Sequence, residues 1–230
     1  MGKIYDLFVV PQNYNKSTIN EFIKTAEKLD LNGLCFCFEI KDLIEAKKIK
    51  EILYSFKSKK KPKINILFGI IINEIHKNKL YQKINLFRNI ADLLIAKATS
   101  PEIQRAICEA KKIDLLIRNY AINLELQKYG YFDVAMTNLC KKNNIANIII
   151  FSDLIVLYRQ KRSNYLKFIK ADLKLFRKKK APIIVASGAK TFFELRDKYS
   201  LLSIINIFER DDEFRDRICK TTKEIAELTL

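Results

Sequence analysis

Seven short apolar, largely β-branched runs recur along the chain, at Ile4–Val10, Gly33–Phe38, Ile64–Ile72, Asp92–Ala96, Asp114–Ile117, Ala146–Phe151 and Ile183–Ala186. None alternates apolar with polar residues, as expected of strands covered on both faces. Amphipathic segments of helical length separate them, and a βαβα order of this kind predicts a parallel sheet. Seven such strands come close to closing a barrel. The expected fold is therefore α/β and TIM-barrel-like, a distorted β/α barrel of about seven parallel strands with surrounding helices, in one domain over 1–230.

The helices are read from three- and four-residue spacing. Ser17 is expected to open one whose stripe is Ile19, Phe22, Ile23, Ala26 and Leu29, with Gly33 following its end. A second runs from about Asp42 to Phe56 and stops in the exposed basic turn Lys57 to Lys63, because Pro62 cannot continue it. Ser100-Pro101-Glu102 reads as an N-cap with proline at the first helical position. Arg118 to Tyr131 is the least periodic stretch and predicts a long loop, followed by a helix from Asp133 to Lys142. One long helix is expected from about Asp153 to Lys180, burying Leu166, Ile169, Leu173 and Phe176 and presenting Lys167, Lys170, Lys174 and Arg177 on a neighbouring face. Arg177 to Lys180 would end it in a cluster suited to the negative end of the helix dipole. Two more helices are expected over Tyr199 to Leu230, the last burying Phe214, Ile218, Ile225 and Leu228.

Charge narrows the possible partners. The chain has 43 Lys and Arg against 26 Asp and Glu, a formal net charge of +17, which attracts polyanions and makes nucleic acid the first partner to consider. The longest apolar stretch, Ile64 to Ile72, falls short of the ~20 residues a spanning helix needs. With no signal-peptide layout at Met1-Gly2-Lys3, a soluble, cytoplasmic protein without membrane contact is expected. Five cysteines without zinc-ligand spacing fit a reducing compartment. Strand alternation is read as sending Cys35 and Cys37 to opposite faces, where they could not share a metal.

The segment Ala181-Pro182-Ile183-Ile184-Val185-Ala186-Ser187-Gly188-Ala189, followed by Phe193-Glu194-Leu195-Arg196, resembles the most recognisable stretch of the ribonuclease P protein component 3 family: a Pro-led strand, Ser-Gly-Ala, then a Leu-Arg pair. The helix from Arg162 to Lys180, the helix and strand from Phe132-Asp133 to Ile148, Tyr5-Asp6-Leu7 and Gly33 fit the same pattern in order and spacing. The resemblance implies a fold similar to the polymerase and histidinol phosphatase (PHP) metallohydrolases, whose first strand binds metals through Asp-Leu-His-x-His. This chain reads Asp6-Leu7-Phe8-Val9-Val10 there, and a phenyl ring or an isopropyl group offers a metal no lone pair. The only histidine, His76, lies in a polar stretch and is expected to be a surface residue. The resemblance implies a subunit of ribonuclease P that supports the catalytic RNA in removing the 5′ leader of precursor tRNA. It further implies that the RNA, with Mg2+, performs the hydrolysis, that this chain holds no cofactor or metal and has no catalytic residue, and that it pairs with ribonuclease P protein component 2 among other protein subunits.

The remaining candidates follow from position. Asp6, Glu39, Asp92 and Asp153 are the carboxylates at strand ends, each expected to be a cap or surface charge, with Glu39 and Asp153 at the catalytic end of a barrel. Ser187 and Gly188 could present backbone N–H groups to a phosphate, or form only a cap and tight turn. Candidate RNA contacts are Lys97, Arg105, Arg118, Arg162, Lys170, Lys178, Lys180, Ser187, Lys190 and Arg196, with Arg118 and Arg196 ranked first because a guanidinium grips phosphate bidentately. Tyr120 and Tyr129 could stack on bases. The alternative is a PHP-like barrel enzyme with a degenerate metal site, acting on phosphorylated small molecules with Ser187-Gly188 as the grip.

Overall fold

The computed structural model describes residues 4–60, 63–118 and 132–228. Seven strands, β1 (Tyr5–Val9), β2 (Gly33–Glu39), β3 (Asn65–Ile72), β4 (Leu93–Ala98), β5 (Leu115–Arg118), β6 (Ala146–Ile150) and β7 (Ile183–Ala186), pair in parallel and in sequence order. Their outward side chains meet a shell of helices: α1 (Lys16–Lys28), α2 (Leu43–Lys60), α3 (Lys77–Phe87), α4 (Pro101–Glu109), α5 (Val134–Asn143), α6 (Phe151–Val156), α7 (Arg159–Lys179), α8 (Lys198–Asn206) and α9 (Asp212–Glu227). This is the expected α/β barrel, and the seven apolar runs match its strands to within two residues at either end.

The barrel closes by two devices. At the C-terminal ends of the strands, Gly188 N donates to Phe8 O and Val10 N to Ala189 O, joining the ends of β1 and β7. Elsewhere α9 packs against both β1 and β7 and sends Ile225 and Ala226 into the interior cluster with Tyr5, Leu67 and Leu115. An extra residue in β1, between its pairings Asp6 with Leu34 and Val9 with Phe36, lets Leu7 and Phe8 both join that interior cluster. Leu228, expected on the same stripe, is instead exposed.

Cys35 and Cys37 correct the sequence reading. Residues two apart on a strand share a face, so both thiols point into the barrel, with Sγ atoms 3.7 Å apart. They occupy the space left by Gly69, where a Cβ would come within 2.9 Å of either sulfur.

Several helices also differ from expectation. Asn15, not Ser17, caps α1, its side chain accepting from Thr18 N. The helix α2 runs on through Lys60, into the segment read as a basic turn. The helix α3 has no counterpart in the sequence reading, although Leu80, Ile84 and Phe87 supply a buried stripe among Lys, Asn and Gln. The helix expected over 153–180 is two, broken at Leu157 and Tyr158. Arg162 holds the break by donating to Leu157 O at 2.7 Å and Ile155 O at 3.0 Å, carbonyls the end of α6 leaves free. In α7 the buried positions are Tyr165, Phe168, Ile169, Leu173 and Phe176, whereas Leu166 is half-buried. Asp133, Ser100, Asp197 and Asp211 each cap their helix with a side-chain oxygen. The long loop expected up to Tyr131, with Tyr120 and Tyr129, falls on residues 119–131, outside those described.

The strand-end carboxylates at the N-terminal end of the barrel are built in rather than surface charges. Asp92 accepts from Phe68 N and Tyr54 OH, and Asp114 accepts from Leu94 N and Arg88 Nη1, so each ties the start of its strand to the neighbouring one. Asp6 does the same across the β1 and β7 seam, accepting from Ser187 N at 3.0 Å. Its other oxygen is buried without a hydrogen-bond partner, and burial pushes its carboxyl up to about 6 despite these bonds.

Candidate functional site

Parallel strands deliver their C-terminal residues to one end of the barrel, where the following loops leave a mouth. Here the mouth is a cavity of about 450 Å³. Its walls are apolar: Phe8 and Val10 from β1 and its end, Ile71 from β3, Ile117 from β5, Ile150 from β6, and Val156 and Leu157 from the α6–α7 break. Phe8 and Val10 thus stand where metal-binding histidines were weighed, and they make this part of the mouth water-repelling. The residues there do not fit a metal: among the described residues, no three His, Cys, Asp or Glu side chains converge as ligands would.

Charge enters the mouth from a few side chains. Lys97 arrives from the end of β4 and Lys190 from the loop after β7, with Asp153 and Glu39 lining the same cavity. Burial pushes the Asp153 carboxyl up, while the ammonium groups of Lys190 and Lys97 pull it back down. Two acids facing two lysines balance charge, the bordering Arg118 being already paired with Asp172. No described nucleophile and base pair accompanies them, so the arrangement suits holding a polar or partly apolar group better than proton transfer.

The turn of Ser187, Gly188 and Ala189 is a seam, not a phosphate cradle. Ser187 N donates to Asp6, Gly188 N to Phe8 O, Ala189 N to Ser187 Oγ, and Lys190 N to Glu194, so four successive N–H groups are consumed internally. Ser187 is 1 % exposed, and the next element is a short 3-10 turn (Phe192–Glu194) rather than an α-helix. Gly188, at φ +66°, meets Ile150 and Ser152 so closely that a Cβ would lie 2.4 Å from Ile150 Cγ2.

Arg118 also differs from its expected role. It is 6 % exposed, reaches Asp172 with Nη1 at 2.8 and 2.7 Å, and lies over the rings of Phe132 and Phe168. It borders the mouth, but a phosphate reaching it would meet a cation already neutralised. Arg196 is half-buried against the Phe151 ring and donates to Phe193 O and Leu195 O. Arg162 is spent on the α6–α7 break and Arg105 pairs with Glu109. Lys170 is exposed on α7, away from the mouth, and Lys178 and Lys180 end that helix at the opposite pole of the barrel. Of the ten candidates the mouth brings together Lys97, Lys190 and the edge of Arg118, with Ser187 behind it.

Sequence reasoning missed exposed apolar side chains at the α6–α7 break: Val156, which lines the mouth, and Tyr158 are 78 % and 66 % exposed. The signal was the unbroken apolar run Leu154 to Tyr158, which no amphipathic helix contains.

The model of one protein family, described as RNase P subunit p30, matches residues 3–228. Ribonuclease P protein component 3 of Methanosarcina acetivorans is 24 % identical over 224 residues, covering 97 % of this chain and 88 % of that protein. The protein of the same name from Methanothermobacter thermautotrophicus is 23 % identical over 160 residues, covering 69 % of this chain but only 64 % of its own length. Among solved structures, a chain of a cryo-EM structure of archaeal ribonuclease P with mature tRNA superposes with a TM-score of 0.77 at 20 % identity, over 97 % of this chain and 90 % of that one, a likeness of fold.

Proposed function

We infer the function of this chain from one premise: it belongs to the RNase P subunit p30 family, whose members are protein subunits of ribonuclease P. Its part in the holoenzyme is electrostatic support. The catalytic RNA, with Mg2+, cleaves the 5′ leader from precursor tRNA, and this barrel supplies cations that let phosphate backbones approach. The observation that carries the reading is a net charge of +17 on a barrel of this family, with Lys97 and Lys190 at the mouth beside Asp153 and Glu39 over apolar walls. Such contacts give affinity and register, while RNA shape gives specificity. Ribonuclease P RNA and precursor tRNA are the nucleic-acid partners proposed. Val156, exposed where it lines the mouth, and the exposed Tyr158 that follows in the chain favour cover by a protein subunit, with component 2 the first candidate. Among the described residues no helix is long and apolar enough to cross a membrane.

Reconstitution tests this reading. Ribonuclease P RNA and component 2 are assayed for precursor-tRNA cleavage at limiting Mg2+, with and without this chain, over a salt series. Stimulation is expected to fade with salt and to weaken severalfold for the double variant Lys97→Ala/Lys190→Ala, each lost phosphate contact flattening the log–log salt slope by roughly 0.7–0.9. Equal cleavage with and without the chain at every salt concentration would remove the subunit role.

A further inference from the structure

The opposite end of the barrel carries a second concentration of cations that the mouth does not explain. There, Lys141 and Asn144 at the end of α5, Lys180 to Pro182 before β7, and Arg217, Lys220, Thr221 and Glu224 on α9 line a cleft of about 250 Å³. Four cations face one carboxylate. The ends of α5 and α7 attract lysines by their dipoles, which accounts for Lys141 and for the run Arg177 to Lys179. It does not account for Arg217 and Lys220, which sit in the middle of α9, a helix whose acids Asp212 and Glu213 already occupy its first turn. Nor does helix stability: Lys220 pairs with Glu224 and Lys223 with Glu227, the less favourable order along a helix axis.

The surroundings reinforce the sign. Lys63, Lys111, Lys112, Lys142 and Lys178 are exposed on the helix-to-strand connections or the helix ends entering them, and all of these reach the same pole. Of the acids there, Asp92 holds Phe68 N, Asp114 holds Leu94 N and Glu27 accepts from Lys63 N, while Asp211, paired with Arg177, and Glu213 face Arg217. Arg217 is half-buried over the Phe214 ring, its Nη2 buried without a hydrogen-bond partner, so what it offers at the cleft is its positive charge.

We propose that this N-terminal pole, centred on the cleft of Lys141, Lys180, Arg217 and Lys220, is a second docking surface for the phosphate backbone of structured RNA, separate from the mouth. The inference rests on the RNA-binding reading above. It makes the barrel a two-ended clamp, with one pole at the strand C-termini and the other at the helix C-termini, holding two RNA segments apart by the barrel's length.

The test is binding of the full chain to ribonuclease P RNA over a salt series, with nucleotide footprinting. The variant Lys141→Glu/Lys220→Glu changes two exposed side chains and is expected to keep the fold, with only a small fall in Tm from the α5 helix end and the lost Lys220–Glu224 pair. It should weaken RNA binding about tenfold or more, reduce the salt slope, and erase protections different from those lost in Lys97→Ala/Lys190→Ala. Arg217→Lys, which keeps the charge but loses the planar fork, should show a smaller loss than Arg217→Ala. Wild-type affinity and footprint for the polar-end variants, with a loss for the mouth variant, would overturn the second surface and leave the first standing. A defect only in binding component 2 would show the pole to be a protein interface and also overturn the proposal. Absence of RNA binding by the wild-type chain would instead remove the underlying reading.

Discussion

Asp6 is the residue where stability and pH are most tightly linked. Its folded pKa of about 6 lies above the usual carboxylate value because burial disfavours the anion. The folded state therefore binds the proton more tightly than the unfolded chain. The ionised group costs stability above pH 6, and the cost disappears as pH falls toward 4. Asp6→Asn keeps an acceptor for Ser187 N without the charge, and is expected to stabilise the protein at pH 7 by about 1–3 kcal/mol. The difference in Tm between variant and wild type should shrink from pH 7 to pH 4.5, and a constant difference would deny the raised pKa. Arg118 is the opposite case, a buried cation with a buried partner at 5 % and 1 % side-chain exposure. Arg118→Ala removes the buried cation paired with the Asp172 carboxylate and is expected to cost about 3–5 kcal/mol in chemical denaturation. Adding Asp172→Ala should restore part of that loss. A fall in RNA binding by Arg118→Ala alone would thus report on folding as much as on contact.

At the scale of elements, helix ends carry both structure and function. Lys180 and Asn144 close α7 and α5 in the left-handed region, at φ 52° and 54°, where a side chain is strained and glycine is not. Lys180→Gly is expected to raise stability by about 0.5–1 kcal/mol in urea unfolding while weakening RNA binding if the basic pole is used, a divergence that a purely structural role would not produce. The α6–α7 break works differently. Its six-residue helix buries no residue fully, yet it supplies Val156 and Leu157 to the mouth, and Arg162 holds its free carbonyls. That break was illegible in the sequence because the arginine that satisfies it lies several residues downstream and reads as one more surface cation. The helix α3 was hidden for another reason: three buried residues in eleven, set among Lys, Asn and Gln, dilute the periodic signal.

For the whole molecule, the barrel imposes a polarity on a charge the sequence shows only as a total. Strands β1 to β7 were legible because double-sided burial leaves uninterrupted apolar runs, and the resemblance around Ser187-Gly188-Ala189 named the family that the whole-chain match bears out. Sequence also established that Phe8 and Val10 cannot bind a metal, since that depends on side-chain chemistry alone. It could not tell a free arginine from a committed one: Asp172 lies 54 positions from Arg118, and Asp6 lies 181 from Ser187. Which N–H groups are spent, which carboxylates are buried, and which cations share a pole are facts of closure, decided when β1 meets β7 and α9 fills the gap between them. Local pattern determines which segments become strands because burial acts residue by residue. Only tertiary structure decides what each charge faces, because electrostatic partners are chosen by distance in space.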